Sequence, residues 1–343
     1  MMKNIFDETL ESLAATLEHE GFKPFAAKQI FDWIYKKRVH DFARMSNLAK
    51  PLRQHLLDHY MVGRLETVRR VVSEDGTKKY LFGLKDHHLI EAVLMAHPYG
   101  KSLCVTTQVG CNIGCAFCAS GLEKKTRDLT VGEMVMQVLE VESLEAERVS
   151  HVVIMGTGEP FDNYDNVMAF IDIINAPHGL EIGARHITVS TSGIVPNIDA
   201  FATRPLQVNL AISLHAPNDA IRSRLMKINH VYPMDALLES VKRYVDATNR
   251  RVTFEYILLD HVNDDIAHAD ELSNRIRGIN AYVNVIRYNP VGEFDFKPSE
   301  ETRARAFFDR LMKRGIVATY RRERGGDINA ACGQLRIREQ KGR

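Results

Sequence analysis

The sequence predicts an α/β fold, a partial (β/α)6 TIM-type barrel preceded by a small helical N-terminal unit and a β-hairpin or meander linker. Three observations lead there. From Ser102 onward, six apolar β-like runs alternate with amphipathic segments, the grammar of βαβ units and a parallel sheet. Ahead of them the pattern is helical to about Tyr60 and then strand-like to Met95. With 343 residues the chain can bury a substantial core, and 45% hydrophobic against 26% charged residues argues against disorder.

Residues 1–65 read as the helical unit. Within it "QIFDWIYKKRV" sets Ile30, Trp33 and Ile34, with the basic run Lys36, Lys37 and Arg38, on an amphipathic helix. Residues 66–98 read as the β-rich linker: short strands flank "EDGTK", where Asp75-Gly76 suits a hairpin turn, and "LIEAVLM" is the last strand. Residues 99–335 form the barrel. Its strands are "LCVTTQ", "HVVIM", "HITVS", "QVNLAISL", "VTFEYILL" and "VNVIRYN". The helix after the first strand opens on Thr130 and Glu133, a capping box, and the next presents Val167, Phe170, Ile171 and Ile174 on one face. Residues 336–343 read as a tail. No fixed-period repeat or low-complexity segment interrupts the pattern.

No apolar run approaches the roughly 18 residues needed to span a bilayer, and the N-terminus is acidic where a secretory signal would be basic and apolar. The expectation is a cytoplasmic protein with no membrane association. In a reducing compartment, five cysteines with three of them in one loop point to a metal site or catalysis. The net charge of +1 decides nothing about nucleic acid, because a basic face can hide in a balanced total.

That loop is "VGCNIGCAFCAS", with Cys111, Cys115 and Cys118 directly after the first barrel strand. Reactive groups of such barrels gather at the carboxyl ends of the strands. A structural zinc site wants four closed ligands, commonly as two separated pairs, and no second pair exists. Three thiolates can hold an iron–sulfur cubane with one iron left open. A zinc knuckle completed by a histidine, or a loop of buried thiols, remains the alternative.

Four further stretches also fall at strand ends: "MGTGEP" (155–160), "STSG" (190–193), "SLHAP" (213–217) and "YNP" (288–290). With C-x3-C-x2-C and "DINAACGQL" near the C-terminus, they resemble the RlmN/Cfr family of radical S-adenosylmethionine (SAM) RNA methyltransferases along nearly the whole chain. Residue chemistry agrees: Gly156 and Gly158 let backbone approach a ligand closely, and Glu159 can receive the SAM ammonium. Taken singly, Glu159 could merely close a strand-to-loop connection, His215 could be a satisfied polar residue and Asn289 ordinary turn chemistry.

The resemblance implies one [4Fe-4S] cluster held by Cys111, Cys115 and Cys118 with an open iron. SAM contacts follow from Gly158, Glu159, Ser190, Ser213, Leu214, His215 and Asn289, with two SAM per turnover. Carbon 2 of adenine lies between two ring nitrogens and does not attack a methyl sulfonium. The family instead loads a methyl onto a cysteine by displacement, here Cys332. A 5'-deoxyadenosyl radical from a second SAM takes a hydrogen from that methyl, and the carbon radical adds to the ring. Cys104 then resolves the adduct as a transient disulfide with Cys332, and Glu91 in "LIEAVL" is the implied proton acceptor. Without the resemblance, Cys104 reads as a packed strand thiol, Cys332 as a surface-loop thiol made mobile by Gly325 and Gly326, and Glu91 as a strand-end carboxylate.

The implied substrates are adenine 2503 of 23S rRNA, naked or during assembly, and adenine 37 of tRNA. The implied partners are a flavodoxin for the cluster and a thioredoxin-like reductant for the disulfide, with the protein a monomer. The target base must leave its stack, so RNA-backbone contacts are needed. Lys36 to Arg38, the set Lys124, Lys125 and Arg127, and the set Arg321, Arg322 and Arg324 are candidates, although a basic run is usually a solvated face. Three alternatives stay open: Cfr-type methylation at carbon 8, another radical SAM enzyme such as a glycyl-radical activase, and a non-enzymatic iron–sulfur or zinc RNA-binding module.

Overall fold

A computed structural model describes residues 2–321 and 324–335. Arg322 and the 336–343 tail, both singled out in the sequence, lie outside them.

The N-terminal unit carries helices α1 (Leu10–His19), α2 (Ala26–Phe31) and α3 (Lys50–His59). A reciprocal cap between Thr9 and Ser12 starts α1. α2 runs on into a π-helical turn, Asp32–Lys36, which buries Ile34 below Ile30 and leaves Trp33 half-buried. Arg38 follows with φ of 55°, so the basic run turns away from the helix axis. Its charges are largely spent inside the molecule: Lys36 pairs with Glu181 at 3.2 Å, Arg38 pairs with Glu142, and Lys37 lies 3.6 Å above the Trp33 ring.

Ten strands then form one sheet in strict chain order. β1 (Glu66–Val72), β2 (Lys78–Gly83) and β3 (Leu89–His97) make an antiparallel meander, with Gly76 at φ 82° in the first turn. β3 pairs antiparallel with β4 (Gly100–Cys104), setting Val93 opposite Cys104. From β4 on, every pairing is parallel, through β5 (His151–Ile154), β6 (Ile187–Thr191), β7 (Asn209–Ser213), β8 (Val252–Leu258) and β9 (Ala281–Arg287). These are the six expected barrel strands. A seventh, β10 (Ala318–Arg321), joins β9 and was not expected. It is a four-residue edge strand with only Ala318 buried, so no apolar run marks it.

Helices α4 (Val131–Glu145), α5 (Tyr164–Asn175), α6 (Val195–Ala202), α7 (Asp219–Leu225), α8 (Met234–Thr248), α9 (Ile266–Arg275) and α10 (Glu301–Lys313) connect the parallel strands. Thr130 and Glu133 do form the capping box of α4, and α5 buries Val167, Phe170, Ile171 and Ile174. One buried group on α4 serves the site directly. Gln137 donates to Thr106 O and accepts from Thr106 N–H, both at 2.9 Å, and so pins the chain where β4 gives way to the cysteine loop. One continuous core joins the N-terminal helices to the barrel. No helix among the described residues is long and apolar enough to cross a membrane.

Candidate active site

The cysteine loop is built by backbone hydrogen bonds, most of them its own. A two-residue ladder of Gln108–Val109 with Arg127–Asp128 closes its base. Cys111 N–H donates to Glu123 O at 3.0 Å, Cys118 N–H to Cys115 O at 3.2 Å, and Ala116 N–H to Leu225 O at 2.9 Å. Gly110, at φ 76°, passes so close to the returning strand that a Cβ would stand 2.2 Å from the Lys124 carbonyl oxygen.

Cys111, Cys115 and Cys118 line one cavity together with Gly158, Glu159, Ser190, Ser213, His215 and Cys332. Burial pushes all three thiols up, Cys111 to about 11, and the Cys118 and Cys111 sulfurs push Cys115 further. Crowded, buried thiols of this kind release their protons to a metal centre. Among the described residues no three His, Cys, Asp or Glu side chains converge where a single ion would sit. A cubane, in which each thiolate takes its own iron, fits this donor set better than a closed zinc site does.

The strand-end residues form the opposite wall. Glu159 is buried, and its oxygens accept from Phe161 N–H at 2.9 Å and Ser192 N–H at 2.7 Å, tying the β5 loop to the β6 loop. Burial raises its pKa, a cost that an ammonium placed beside it would offset. Ser190 and Ser213 hydroxyls lie 3.4 Å apart. His215 has φ of 56°, stands edge-on to Phe117 at 5.0 Å, and accepts from Ile257 N–H at Nδ1, 3.1 Å away. Burial, aided by Arg222, depresses His215 to about 3; it is neutral with its proton on Nε2. Gly156 and Gly158 do line the cavity, but what they accommodate is the neighbouring chain. A Cβ at Gly156 would meet Val105 O at 2.6 Å, and one at Gly158 would meet Gln108 Cβ at 2.7 Å.

A second cavity adjoins the first and holds Cys104, Asn289 and Cys332, with Cys118, Ser120 and Arg321 lining both. Burial pushes Cys104 up to about 12, the Cys332 sulfur adding to the effect and Arg321 opposing it. Of the remaining expected residues, Leu214 packs in the main core and Glu91 lines neither cavity. Glu91 is buried on β3 and ion-paired to Lys79 at 3.2 Å; strand alternation puts it on the face that carries Val93 and Met95, which line the Cys104 cavity.

Several hydrogen bonds fasten the Cys332 loop. Asp327 accepts from Ser73 Oγ at 2.6 Å and Glu74 N–H at 3.2 Å, and Asp75 accepts from Gly325 N–H at 3.0 Å. Lys79 donates to Asn329 O at 3.1 Å, and Arg324 to Ala96 O at 2.9 Å. Gly333 O receives Ala119 N–H at 2.7 Å, docking the loop onto the cysteine loop.

Two arginines were not recognised for what they do. Arg321, grouped in the sequence with RNA-backbone candidates, turns inward and donates from Nη1 to Cys332 Sγ at 3.1 Å. Its proton is held more firmly than an ordinary arginine's, chiefly by that sulfur. Arg222 is fully buried and donates to Leu214 O, Ser192 O, Ser213 O and Asn229 Oδ1, bracing two loops of the cavity wall. The strand that carries Arg321 gave no apolar signal, and Arg222 sits in "IRSRL", which reads as an ordinary helical face. The set beside the cysteine loop is also partly neutralised: Lys125 pairs with Asp128 and Asp162, and Arg127 with Asp86 and Glu133.

A parallel sheet with three thiols and polar strand ends at its carboxyl mouth defines a radical SAM enzyme, and residues 105–272 match the Radical SAM superfamily. Residues 3–62 match the ribosomal RNA large subunit methyltransferase N-terminal domain. The chain is 53% identical over 332 residues to a probable dual-specificity RNA methyltransferase RlmN of Acholeplasma laidlawii, covering 97% of this chain and 98% of that one. It is 52% identical to the protein of the same name in Spiroplasma citri, covering 99% of each. A crystal structure of a radical SAM methyltransferase from Sphaerobacter thermophilus superposes with a TM-score of 0.91 at 45% identity, over 97% of this chain and 99% of that one. The chain belongs to the RlmN family of radical SAM RNA methyltransferases. It is an RNA-methylating enzyme of the class that uses a [4Fe-4S] cluster and SAM.

Proposed function

We propose that the protein methylates carbon 2 of adenine 2503 in 23S rRNA and of adenine 37 in tRNA, through S-methylated Cys332 and a transient Cys332–Cys104 disulfide. The observation that carries this reading is the position of Cys332: it lines the cavity of the three cluster cysteines and also the cavity of Cys104. A thiol that must first meet SAM and later meet a resolving thiol needs both neighbours. The relatives' name, dual-specificity RNA methyltransferase, supports methylation of more than one RNA substrate.

Cys111, Cys115 and Cys118 hold the cluster, and Gly158, Glu159, Ser190, Ser213, His215 and Asn289 orient SAM, Leu214 contributing through its backbone. Bound there, cluster and SAM together supply methyl donation and one-electron hydrogen abstraction. The protein's own residues do the rest. Arg321 donates to the Cys332 sulfur at 3.1 Å and so holds the sulfur that takes the methyl group in place. Cys104, pushed up to about 12, stays a thiol and does not compete for that methyl. Glu91, two positions along β3 from Val93, accepts the ring proton, and the adduct gives up its unpaired electron to the source that supplied one at the start of the cycle. Release follows when the Cys104 sulfur bonds to the Cys332 sulfur as the Cys332 sulfur–methylene bond breaks, a proton equivalent to the one Cys104 loses completing the methyl group on the ring. Residues 1–65 serve as the accessory RNA-binding domain beside the 66–98 linker and the 99–335 barrel.

Nucleoside analysis of rRNA and tRNA from a strain lacking the protein tests the proposal. Loss of 2-methyladenosine from both is expected; its persistence, or loss of an 8-methyl product instead, overturns the carbon-2 assignment.

A further inference from the structure

The amino end of the barrel, opposite the cluster, holds an open basin of about 910 Å³ that the reaction chemistry above leaves without a role. In closed barrels the interior is filled by layers of branched apolar side chains. Here the strand residues lining the basin include Ser102, Val153, Thr188, Asn209, Thr253 and Asn284, at least one from each of β4 to β9, with Glu255 and Tyr282 from β8 and β9; only Val153 among them is apolar, and the Glu255 carboxylate accepts from the Asn284 amide at 2.8 Å. The volume lies in the range of roughly 300–1,000 Å³ typical of ligand pockets.

The rim is basic. Arg185, Arg250, Arg251 and Arg324 border it, and among the described residues none of the four has a carboxylate within ion-pairing distance. Arg185 donates to the Gln207 amide oxygen, Arg250 to Leu206 O, and Arg251 lies over the Tyr282 ring at 5.1 Å. Burial, and the like charge of Arg185, lower the Arg250 pKa, so this cluster is short of negative charge. By contrast Lys36, Arg38, Lys125 and Arg127 are already paired. Beside the arginines stands Tyr99, 65% exposed and stacked on His97 at 4.7 Å with planes 6° apart. An exposed aromatic platform next to unpaired arginines is the chemistry that holds single-stranded nucleic acid.

The basin also leads to the reacting thiols. Met95, Val153, Met155, Arg321 and Arg324 line both it and the cavity of Cys104 and Cys332, so one layer of side chains separates the two, and its methionines can repack.

We infer that RNA docks at the amino end, with its backbone on Arg185, Arg250 and Arg251 and a base on Tyr99, and that the flipped purine reaches Cys332 and Cys104 through the barrel interior. SAM and the cluster then act from the opposite face of the same thiols. The inference rests on the RNA-methylating reading of the site and adds the direction of approach.

The test measures binding and not turnover. The reconstituted full-length protein is titrated against a fluorescent RNA hairpin with an unpaired adenine in its loop, by anisotropy at several salt concentrations. Arg185→Glu with Arg251→Glu, both exposed positions, is expected to weaken binding at least tenfold and to flatten the logarithmic salt slope by about 1.4, two contacts at roughly 0.7 each. Tyr99→Ala is expected to weaken binding about tenfold with the slope unchanged. Lys242→Glu with Lys313→Glu makes the same charge change at exposed positions away from the rim and is expected to leave both quantities as they were. Iron content and circular dichroism report that each variant is folded. Wild-type binding by the arginine variant, or an equal loss in the lysine variant, overturns the amino-end entrance. Because RNA binding is read directly, that failure is distinct from persistence of 2-methyladenosine in a deletion strain, which would overturn the reaction and leave the entrance standing.

Discussion

The two loops that carry reactive cysteines are held in opposite ways. The loop of Cys111, Cys115 and Cys118 is closed by backbone hydrogen bonds among residues 107–128 and by a glycine turn at Gly110. The loop of Cys332 is held mostly by side-chain bonds to distant elements: Ser73, Asp75 and Lys79 reach it from the meander, while its own Asp327 and Gln334 reach back to the β1–β2 turn and to Pro290 O. A backbone-built loop keeps its shape whatever its side chains do, which suits a ligand template. A latched loop can be released by one substitution or one protonation, which suits the cycle of alkylation, RNA bridging and oxidation proposed for Cys332.

The contrast is sharpest when the ligands themselves are removed. Cys111→Ala, Cys115→Ala or Cys118→Ala is expected to lower bound iron from about four per chain to near zero and to abolish SAM cleavage. Circular dichroism should be unchanged, because the loop does not depend on its thiols; global unfolding of any of the three would break the comparison.

Next in size is Cys104→Ala. Cluster assembly and carbon addition should proceed while release fails, leaving a protein–RNA adduct on denaturing gels that nuclease removes. The double variant with Cys332→Ala should show no adduct, and normal turnover by Cys104→Ala would return that residue to the role of a packed strand thiol.

Removing the charge beside the Cys332 sulfur should act more mildly. A hydrogen bond involving a charged partner is worth about 1.5–3 kcal/mol, so Arg321→Gln should slow methyl loading of Cys332 roughly ten- to a hundredfold. Mass spectrometry of the peptide "GGDINAACGQLR" follows the added methyl with time. Arg321→Lys should recover part of the rate, and an unaltered rate in Arg321→Gln would remove its assigned role.

The smallest effect concerns the latch. Burial alone would raise Asp75, but hydrogen bonds from Thr77 and Gly325 outweigh it and hold the carboxyl near about 2. A folded pKa below the ordinary value of about 3.9 stabilises the latch fully above that value, and the contribution is lost as pH falls toward 2. Hydrogen exchange over 324–335 should therefore be protected from neutral pH down to about pH 4. Asp75→Asn should lose about 1 kcal/mol of that protection at neutral pH, while the cysteine loop exchanges as in wild type. Equal loosening of both loops would erase the distinction between them.

The same difference explains what the sequence made legible. Residues 109–128 carry their structure locally, in glycines and closely spaced cysteines, and the alternation of "HVVIM", "HITVS" and "QVNLAISL" with amphipathic helices exposed six parallel strands. Hairpin chemistry at Asp75-Gly76 was equally readable. What depended on partners far along the chain was not. β10 has no apolar run, Arg321 reads as a surface cation until the fold turns it toward Cys332, and Gly325 and Gly326 suggested mobility because nothing nearby names Ser73 and Asp75 as their anchors. Gly156 and Gly158 read as points of close ligand approach; they do line the cavity, and only the packed structure shows that Val105 and Gln108 crowd the places their Cβ atoms would take.

The latch also sets an order of assembly. Ser73 and Asp327 are separated by 254 positions, and Asp75 and Gly325 by 250. On a chain made from its N-terminus, the cysteine loop and most of the parallel strands exist well before the segment that holds Cys332 has been synthesised. A truncated or stalled product therefore carries Cys111, Cys115 and Cys118 but lacks Cys332. Only a chain extended past the Cys332 segment can seat that sulfur between the meander and the cysteine loop, so the two cysteine sites meet late in synthesis.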